Sequence, residues 1–201
     1  MENLTDADKQ ILLLLARQAL ESGVRGKGLS DVNEKLLSPL LLAHGASFVT
    51  LTINAQLRGC IGSLQPFQAL YEDVREHTVS AALEDYRFRP VHPSELKNIN
   101  IEISRLTVPQ SLIYKDTDDL LVRLRPGIDG VILRDGSRRA TFLPQVWAQI
   151  PDKVKFLNHL CAKMGEDSQE WRQKHMDVQI YQVEEFHEHG SPDQIKPDSQ
   201  T

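Results

Sequence analysis

Hydrophobic positions along the chain recur with two periods, and the switches between them mark out the elements. Ile11, Leu12, Leu15, Ala16, Ala19 and Leu20 fall at helical spacing and predict a helix from about Asp6 to Ser22. Thr5 with Asp8 three residues on supplies a capping box, and Gly23 marks the stop. Residues 31–42 read as half-helical, interrupted by Pro39. The period then drops to two. Val49, Leu51 and Ile53 share one face, and Phe48, Thr50 and Thr52 the other. Asn54-Ala55-Gln56 turns this strand into a second hairpin arm, Leu57 to Gly62. Pro66 suits the first turn of a helix carrying Phe67, Leu70, Tyr71, Val74, Ala81 and Ala82.

Beyond a loop punctuated by prolines, Ile99, Ile101 and Ile103 alternate with Asn100, Glu102 and Ser104, the pattern of a half-buried strand. Asp118 to Leu124 predicts a short helix stopped at Pro126-Gly127. Val131 to Leu133, Asp135-Gly136 and Ala140 to Phe142 predict a second hairpin. Pro144 opens another helix carrying Val146 and Trp147; Val154, Leu157, Leu160, Cys161 and Met164 follow as a helical stripe closed by Gly165. Val178 to Phe186 reads as a last strand, with a mobile polar tail after it. Strands interleave with helices but are joined by short hairpins, which favours an antiparallel α+β fold over a doubly wound parallel sheet.

Composition narrows the function. The 201 residues carry 23 Lys and Arg against 28 Asp and Glu, a net charge of −5, which gives no electrostatic ground for nucleic-acid binding. No apolar run approaches the roughly 18 residues of a membrane span, and the acidic start lacks the layout of a secretory signal. Two cysteines far apart, Cys60 and Cys161, fit a reducing compartment and hence a cytoplasmic protein. Gly23 to Gly28 lacks P-loop spacing, and neither a GxGxxG fingerprint nor a CxxC pair occurs. His187 and His189 lie where the ordered chain is expected to end, so neither a resident metal nor a cofactor is expected.

Candidate chemistry concentrates in Leu57-Arg58-Gly59-Cys60-Ile61-Gly62. Glycines inside a strand cost stability and require a bulge, a bend or a close backbone approach. Strict alternation puts Arg58, Cys60 and Gly62 on one face, where the guanidinium and a following helix N-terminus would favour a thiolate. Cys60 is then a nucleophile or an acid–base group; the alternative is a small buried side chain, as expected for Cys161. Glu102 pairs with Arg58, acts as a general base, or faces water. Glu84, Asp85, Arg87 and Arg89 around Phe88 either clamp an anionic ligand or form an internal salt-bridge lattice. Asp129, Arg138, Arg139 and Gln145 reach a site or decorate turns.

The hexapeptide, followed in order by Asp85 to Val91, Ile101 to Ser104, Pro126 to Gly130 and Thr141 to Trp147, resembles the AMMECR domain, protein A of the AmmeMemoRadiSam system. The similarity continues through Phe156-Leu157 and residues 171–186, and covers about residues 28–188. It implies an α+β fold of two unequal lobes: a larger one with an antiparallel sheet flanked by helices, a smaller inserted α/β lobe, and a cleft between them. On that reading residues 1–27 are a helix and loop packed on the domain, 28–188 are the domain, and 189–201 are the tail. Arg58, Gly59, Cys60 and Gly62 become cleft residues, and Arg87, Glu102 and Gln145 are carried over with them. Tyr86 stands where the family often has proline, and His77 where a small polar residue is expected. The resemblance implies a functional link to a Memo-like protein and a radical-SAM protein but supplies no reaction. Two functions compete: a cysteine-dependent enzyme acting on a small anionic or carbonyl substrate, with Glu102 moving a proton, and a non-catalytic module whose cleft receives a protein or, less readily given the charge, a nucleic acid. A purely structural hexapeptide ranks below both.

Overall fold

The computed structural model describes residues 3–188 as an α+β fold with two antiparallel sheets flanked by helices. The tail expected from residue 189 lies outside the described residues. The chain divides into two compact units. The larger takes the chain up to Leu106 together with the stretch from Glu184 on, and the smaller, Thr107–Val183, is inserted between them.

In the larger unit, helix α1 (Asp6–Val24) starts as expected: the Thr5 hydroxyl accepts from the Asp8 N–H, and the Asp8 carboxylate accepts from the Thr5 N–H. Pro39 does not interrupt a helix but opens the short α2 (Pro39–Leu42), where its missing N–H costs nothing. Strands β1 (His44–Ile53) and β2 (Gln56–Gly62) form the expected hairpin around a two-residue loop, Asn54-Ala55, both with positive φ (51° and 61°). The next expectation fails. Pro66 and Phe67 precede a short strand, β3 (Gln68–Ala69), which pairs with β1, and the helix α3 begins only at Leu70 and runs to Leu83. Strand β4 (Ile99–Leu106) pairs over its whole length with β1, from Ala46 to Ile53, and the sheet order is β2-β1-β4 and then a C-terminal strand, β9 (Val183–His187).

Alternation decides which face of this sheet is covered. Val49, Leu51, Ile101, Ile103 and Phe186 form one core with Leu12, Leu15, Ala16 and Leu20 of α1 and Leu70, Val74 and Ala81 of α3. A polar bridge sits inside it: the Ser47 hydroxyl donates to Asp73 at 2.6 Å, and His77 Nδ1 lies 3.1 Å from the same carboxylate oxygen. His77 is thus in place to satisfy a buried acid.

The smaller unit has sheet order β5 (Gln110–Ser111), β8 (Asp177–Tyr181), β6 (Gly130–Asp135), β7 (Arg138–Phe142). The β6–β7 turn is tight because Gly136 adopts φ 57° directly after Asp135. Helices α4 (Thr117–Arg123), α5 (Lys153–Met164) and α6 (Glu170–Gln173) complete the unit. Its core gathers Val131, Leu133, Phe156, Leu157, Leu160, Cys161, Trp147 and Trp171. The stretch expected as one last strand is two. Gln182 separates β8 from β9, and the two belong to different sheets. Among the described residues no helix is long and apolar enough to cross a membrane.

Candidate functional site

Strand β2 forms the free edge of the larger sheet, and its register against β1 slips at one place. Leu51 faces Gly59 but Thr52 faces Leu57, so Arg58 is the extra residue of a β-bulge. The bulge breaks the alternation that placed Arg58 beside Cys60 and re-aims its side chain. Arg58 Nε and Nη2 donate to the two Glu95 oxygens at 2.8 and 3.1 Å, and its Nη atoms also reach the carbonyls of Arg89 and Pro90. The guanidinium holds the Glu95 carboxyl below its usual range. Arg58 therefore pairs with Glu95, not with Glu102.

The two strand glycines have steric reasons. A Cβ on Gly59 would stand 2.1 Å from the backbone oxygen of Ala81, and one on Gly62 would meet both the Ser47 carbonyl and the Phe48 ring at 2.4 Å. Gly59 thus admits the last turn of α3 against β2. The same contact overturns the helix-dipole expectation: the carbonyl-rich C-terminal end of α3 approaches the signature strand, while its N-terminal Leu70 crowds Gly45.

The loop after α3 closes the strand edge with side chains. The Cys60 N–H donates to Asp85 Oδ2 at 2.8 Å, and Arg87 Nη2 donates to the Cys60 carbonyl at 3.2 Å. Arg87 is itself forked onto Asp85 at 2.9 and 2.6 Å. This acid–base pair replaces the neighbouring strand that β2 lacks, which blunts an edge open to wrong pairing. The Arg87 guanidinium, helped by the Cys60 N–H, holds the buried Asp85 carboxyl far below the usual carboxylate range despite the opposing effect of burial. The Asp85–Arg87 part of the charge cluster is accordingly an internal lattice around Cys60.

The face of the sheet turned away from the α1–α3 core carries the reactive groups in a row. Cys60 pairs with Thr50 across β2–β1, and Thr50 pairs with Glu102 across β1–β4. The Thr50 hydroxyl donates to Cys60 Sγ at 3.4 Å. On β9 the row ends in His187, whose Nδ1 lies 3.5 Å from Glu102 and whose Nε2 lies 3.2 Å from Glu185. Burial raises the Glu102 pKa first and the Glu185 charge raises it further, with His187 opposing. One donor atom from each of Glu102, Glu185 and His187 lies within 4.8 Å of the others, a set able to hold a metal ion.

His187 was set aside as a ligand because the ordered chain was expected to end there, and Glu185, inside the expected last strand, was not singled out. The available signal was the alternation itself: Glu185 and His187 flank the core residue Phe186. The remaining candidates belong to the smaller unit. Gln145 is exposed in the turn opened by Pro144. Asp129 is fully buried and forked onto Arg125, and Arg138 pairs with Glu166. Cys161 is buried in the α5 core, as expected, and burial pushes its thiol pKa up.

Comparison with known proteins places this architecture. The AMMECR1 family model matches residues 13–186. The chain belongs to the AMMECR1 family. Relatives include MK0488 of Methanopyrus kandleri, 34% identical over 93% of this chain and 91% of its own, and Mbar_A1807 of Methanosarcina barkeri, 36% identical over 81% of each chain. Among solved structures, the uncharacterized protein PH0010 of Pyrococcus horikoshii superposes with a TM-score of 0.83 at 30% identity, covering 92% of this chain and 94% of its own. For this AMMECR1-family chain, membership and fold are therefore shared with archaeal proteins, and the chemistry has to be argued from the residues on the polar face.

Proposed function

We propose that this AMMECR1-family protein is a cysteine-dependent enzyme in which the Cys60 thiol acts, as nucleophile or proton-transferring group, on a small anionic or carbonyl-bearing substrate. The observation that carries this reading is the setting of Cys60. It is half-buried on the polar face, its sulfur accepts the Thr50 hydroxyl, and its backbone is gripped by Asp85 on one side and Arg87 on the other. The Thr50 hydroxyl fixes the orientation of the sulfur. A backbone fixed at both N–H and carbonyl holds the thiol in one place, as a reacting group requires. Arg87 commits Nε and Nη2 to Asp85 and Cys60 while its side chain stays 44% exposed, so Nη1 is the cation offered to a substrate oxygen. Arg58 and the two glycines act through position: Arg58 fixes the bulge, and Gly59 and Gly62 fix the distance to α3 and β1. Gln145 is assigned no step.

A second reading, a module that binds a macromolecular partner such as the Memo-like or radical-SAM protein, draws on Tyr86. This ring is 94% exposed at the tip of the loop that grips Cys60. Exposed tyrosines of this kind are frequent anchors of protein interfaces.

Native-state alkylation resolved by peptide mass spectrometry tests the enzyme reading, with Cys161 as the internal control. Cys60 is expected to label in the folded protein, Cys161 only on unfolding, and Thr50→Val to slow Cys60 severalfold while leaving Cys161 unchanged. Labelling of Cys60 at the rate of Cys161 would remove the ground for a reactive thiol and leave the partner reading, for which Tyr86→Ala is the probe.

A further inference from the structure

We infer that Glu102, Glu185 and His187 form a binding site for a divalent first-row transition-metal ion on the polar face of the larger sheet. The donor set is one imidazole nitrogen and one oxygen from each of two carboxylates, all within 4.8 Å of one another. An ion with bonds of about 2.0–2.2 Å to nitrogen and oxygen draws such donors in by roughly 1 Å. Of the three, Glu185 is exposed, and Glu102 and His187 are half-buried. The imidazole presents a different nitrogen to each acid, Nδ1 3.5 Å from Glu102 and Nε2 3.2 Å from Glu185, and an ion takes one of the two.

Three features distinguish this trio from an acidic patch on a surface. First, it stands on strands. Glu102 is in the interior of β4, paired throughout with β1, and Glu185 and His187 are alternate residues of β9. Strand-borne ligands are held more closely than loop-borne ones. Second, the two faces of β9 are used differently. Glu184 meets Lys9 and Arg105, and Glu188 meets Arg17, so the acids of the helix-covered face are matched by long cationic side chains. On the other face the ion partner of Glu102 is an imidazole. A half-buried carboxylate with a second carboxylate beside it is a costly pair of charges, and a divalent cation offsets both. Third, the chemistry of the donors selects the ion. An imidazole with two carboxylates suits zinc, iron, cobalt or nickel, whereas calcium and magnesium prefer oxygen alone. Three protein ligands leave further coordination positions open on the face that also carries Cys60.

This site does not depend on Cys60 being reactive, and its test uses a different readout. Co2+ added to the full chain is expected to give visible ligand-field bands that saturate at one equivalent and are abolished by Zn2+, which binds such donors more tightly. Mg2+ at the same concentration should leave them in place. Glu102→Gln and His187→Ala are each expected to weaken Co2+ binding by at least ~10–100-fold, the range already seen when only a ligand's supporting contact is lost. His159→Ala, an exposed histidine on α5, should change nothing. Glu102→Gln is decisive because it leaves every histidine intact. Wild-type affinity in that variant would place the metal on His187 and His189 of the chain end and overturn the site, as would an absence of bands in the wild type up to millimolar Co2+. Should Glu102→Gln lose its native circular dichroism, Glu185→Gln, at an exposed position, carries the same expectation.

Discussion

Replacing Gly59 by alanine separates the two reasons a glycine has for standing in the signature strand. The added methyl would lie 2.1 Å from the Ala81 oxygen and 3.1 Å from the Ala81 carbonyl carbon. A carbon and an oxygen rest at about 3.3 Å or more, so the two backbones have to part by at least ~1 Å. No side chain can rotate out of the way, because the obstacle is the helix backbone itself. Moving the last turn of α3 loosens Ala81 and Ala82, both buried, and strains the grip of the following loop on Cys60. Overpacking of this kind costs about 3 kcal/mol, the upper end of the usual range. With a urea dependence of ~2 kcal/mol per molar, the midpoint for this unit falls by about 1–2 M. The probe has to report on the right unit. Trp147 and Trp171 both lie in the smaller one, so tryptophan fluorescence would miss the event. Hydrogen exchange of the β1 and β2 amides measures it directly. Gly28→Ala is the control, since a Cβ there meets nothing within 4 Å, and a change within ~1 kcal/mol of neutral is expected. A Gly59→Ala protein as stable as wild type would refute the packing account and return Gly59 to a role in approaching a ligand.

Two further perturbations test the same hairpin and its cap. Ala55 holds φ 61° in the β1–β2 turn, a conformation that costs a non-glycine residue about 1 kcal/mol, so Ala55→Gly is expected to raise the urea midpoint modestly; a lowered midpoint would contradict the turn geometry. Asp85→Ala strips the acceptor from the Cys60 N–H and should destabilise the larger unit by about 2–3 kcal/mol at pH 7. Because the folded-state pKa of Asp85 is depressed, its contribution is whole above about pH 4 and drains as the pH falls through the range below that. Urea midpoints measured from pH 6 down to pH 2.5 should therefore drop more steeply in the wild type than in Asp85→Ala, and parallel curves would show that the pair is not what ties stability to acid.

The elements that could be read from the sequence were those whose signal is local. The capping box at Thr5, the Asn54-Ala55 turn, the isoleucines of β4 and the Gly165 stop of α5 each depend on neighbours within a few residues, and each is found. The failures involve partners distant in sequence. Pro66 looked like a helix start, but the pairing of Gln68 and Ala69 with β1 holds the chain extended until Leu70. Residues 178–186 read as one strand, and the separate sheets divide it at Gln182. Arg58 was placed beside the thiol by alternation, and one inserted residue in the register sent it to Glu95 instead. The strand glycines allowed for a bulge among other readings, but a period-two pattern does not say where one falls, so the strand in isolation could not place that guanidinium.

The hexapeptide therefore holds two kinds of residue that sequence alone presents as one motif. Arg58, Gly59 and Gly62 are accounted for by the bulge, by α3 and by Phe48, and Asp85 with Arg87 by the unpaired edge of β2. Each would be required in a protein with no chemistry at all, so the structural reading of these residues gains more from the geometry than the glycines alone suggested. What that reading does not use is the sulfur of Cys60. A serine or alanine would fit the same backbone grip, because Asp85 and Arg87 address the main chain and not the side chain. The thiol, the Thr50 hydroxyl that donates to it, and the Glu102–Glu185–His187 group share one face of the sheet. Function is best sought in them, and a variant of Arg58 or either glycine that loses activity would report on the frame rather than on the reaction.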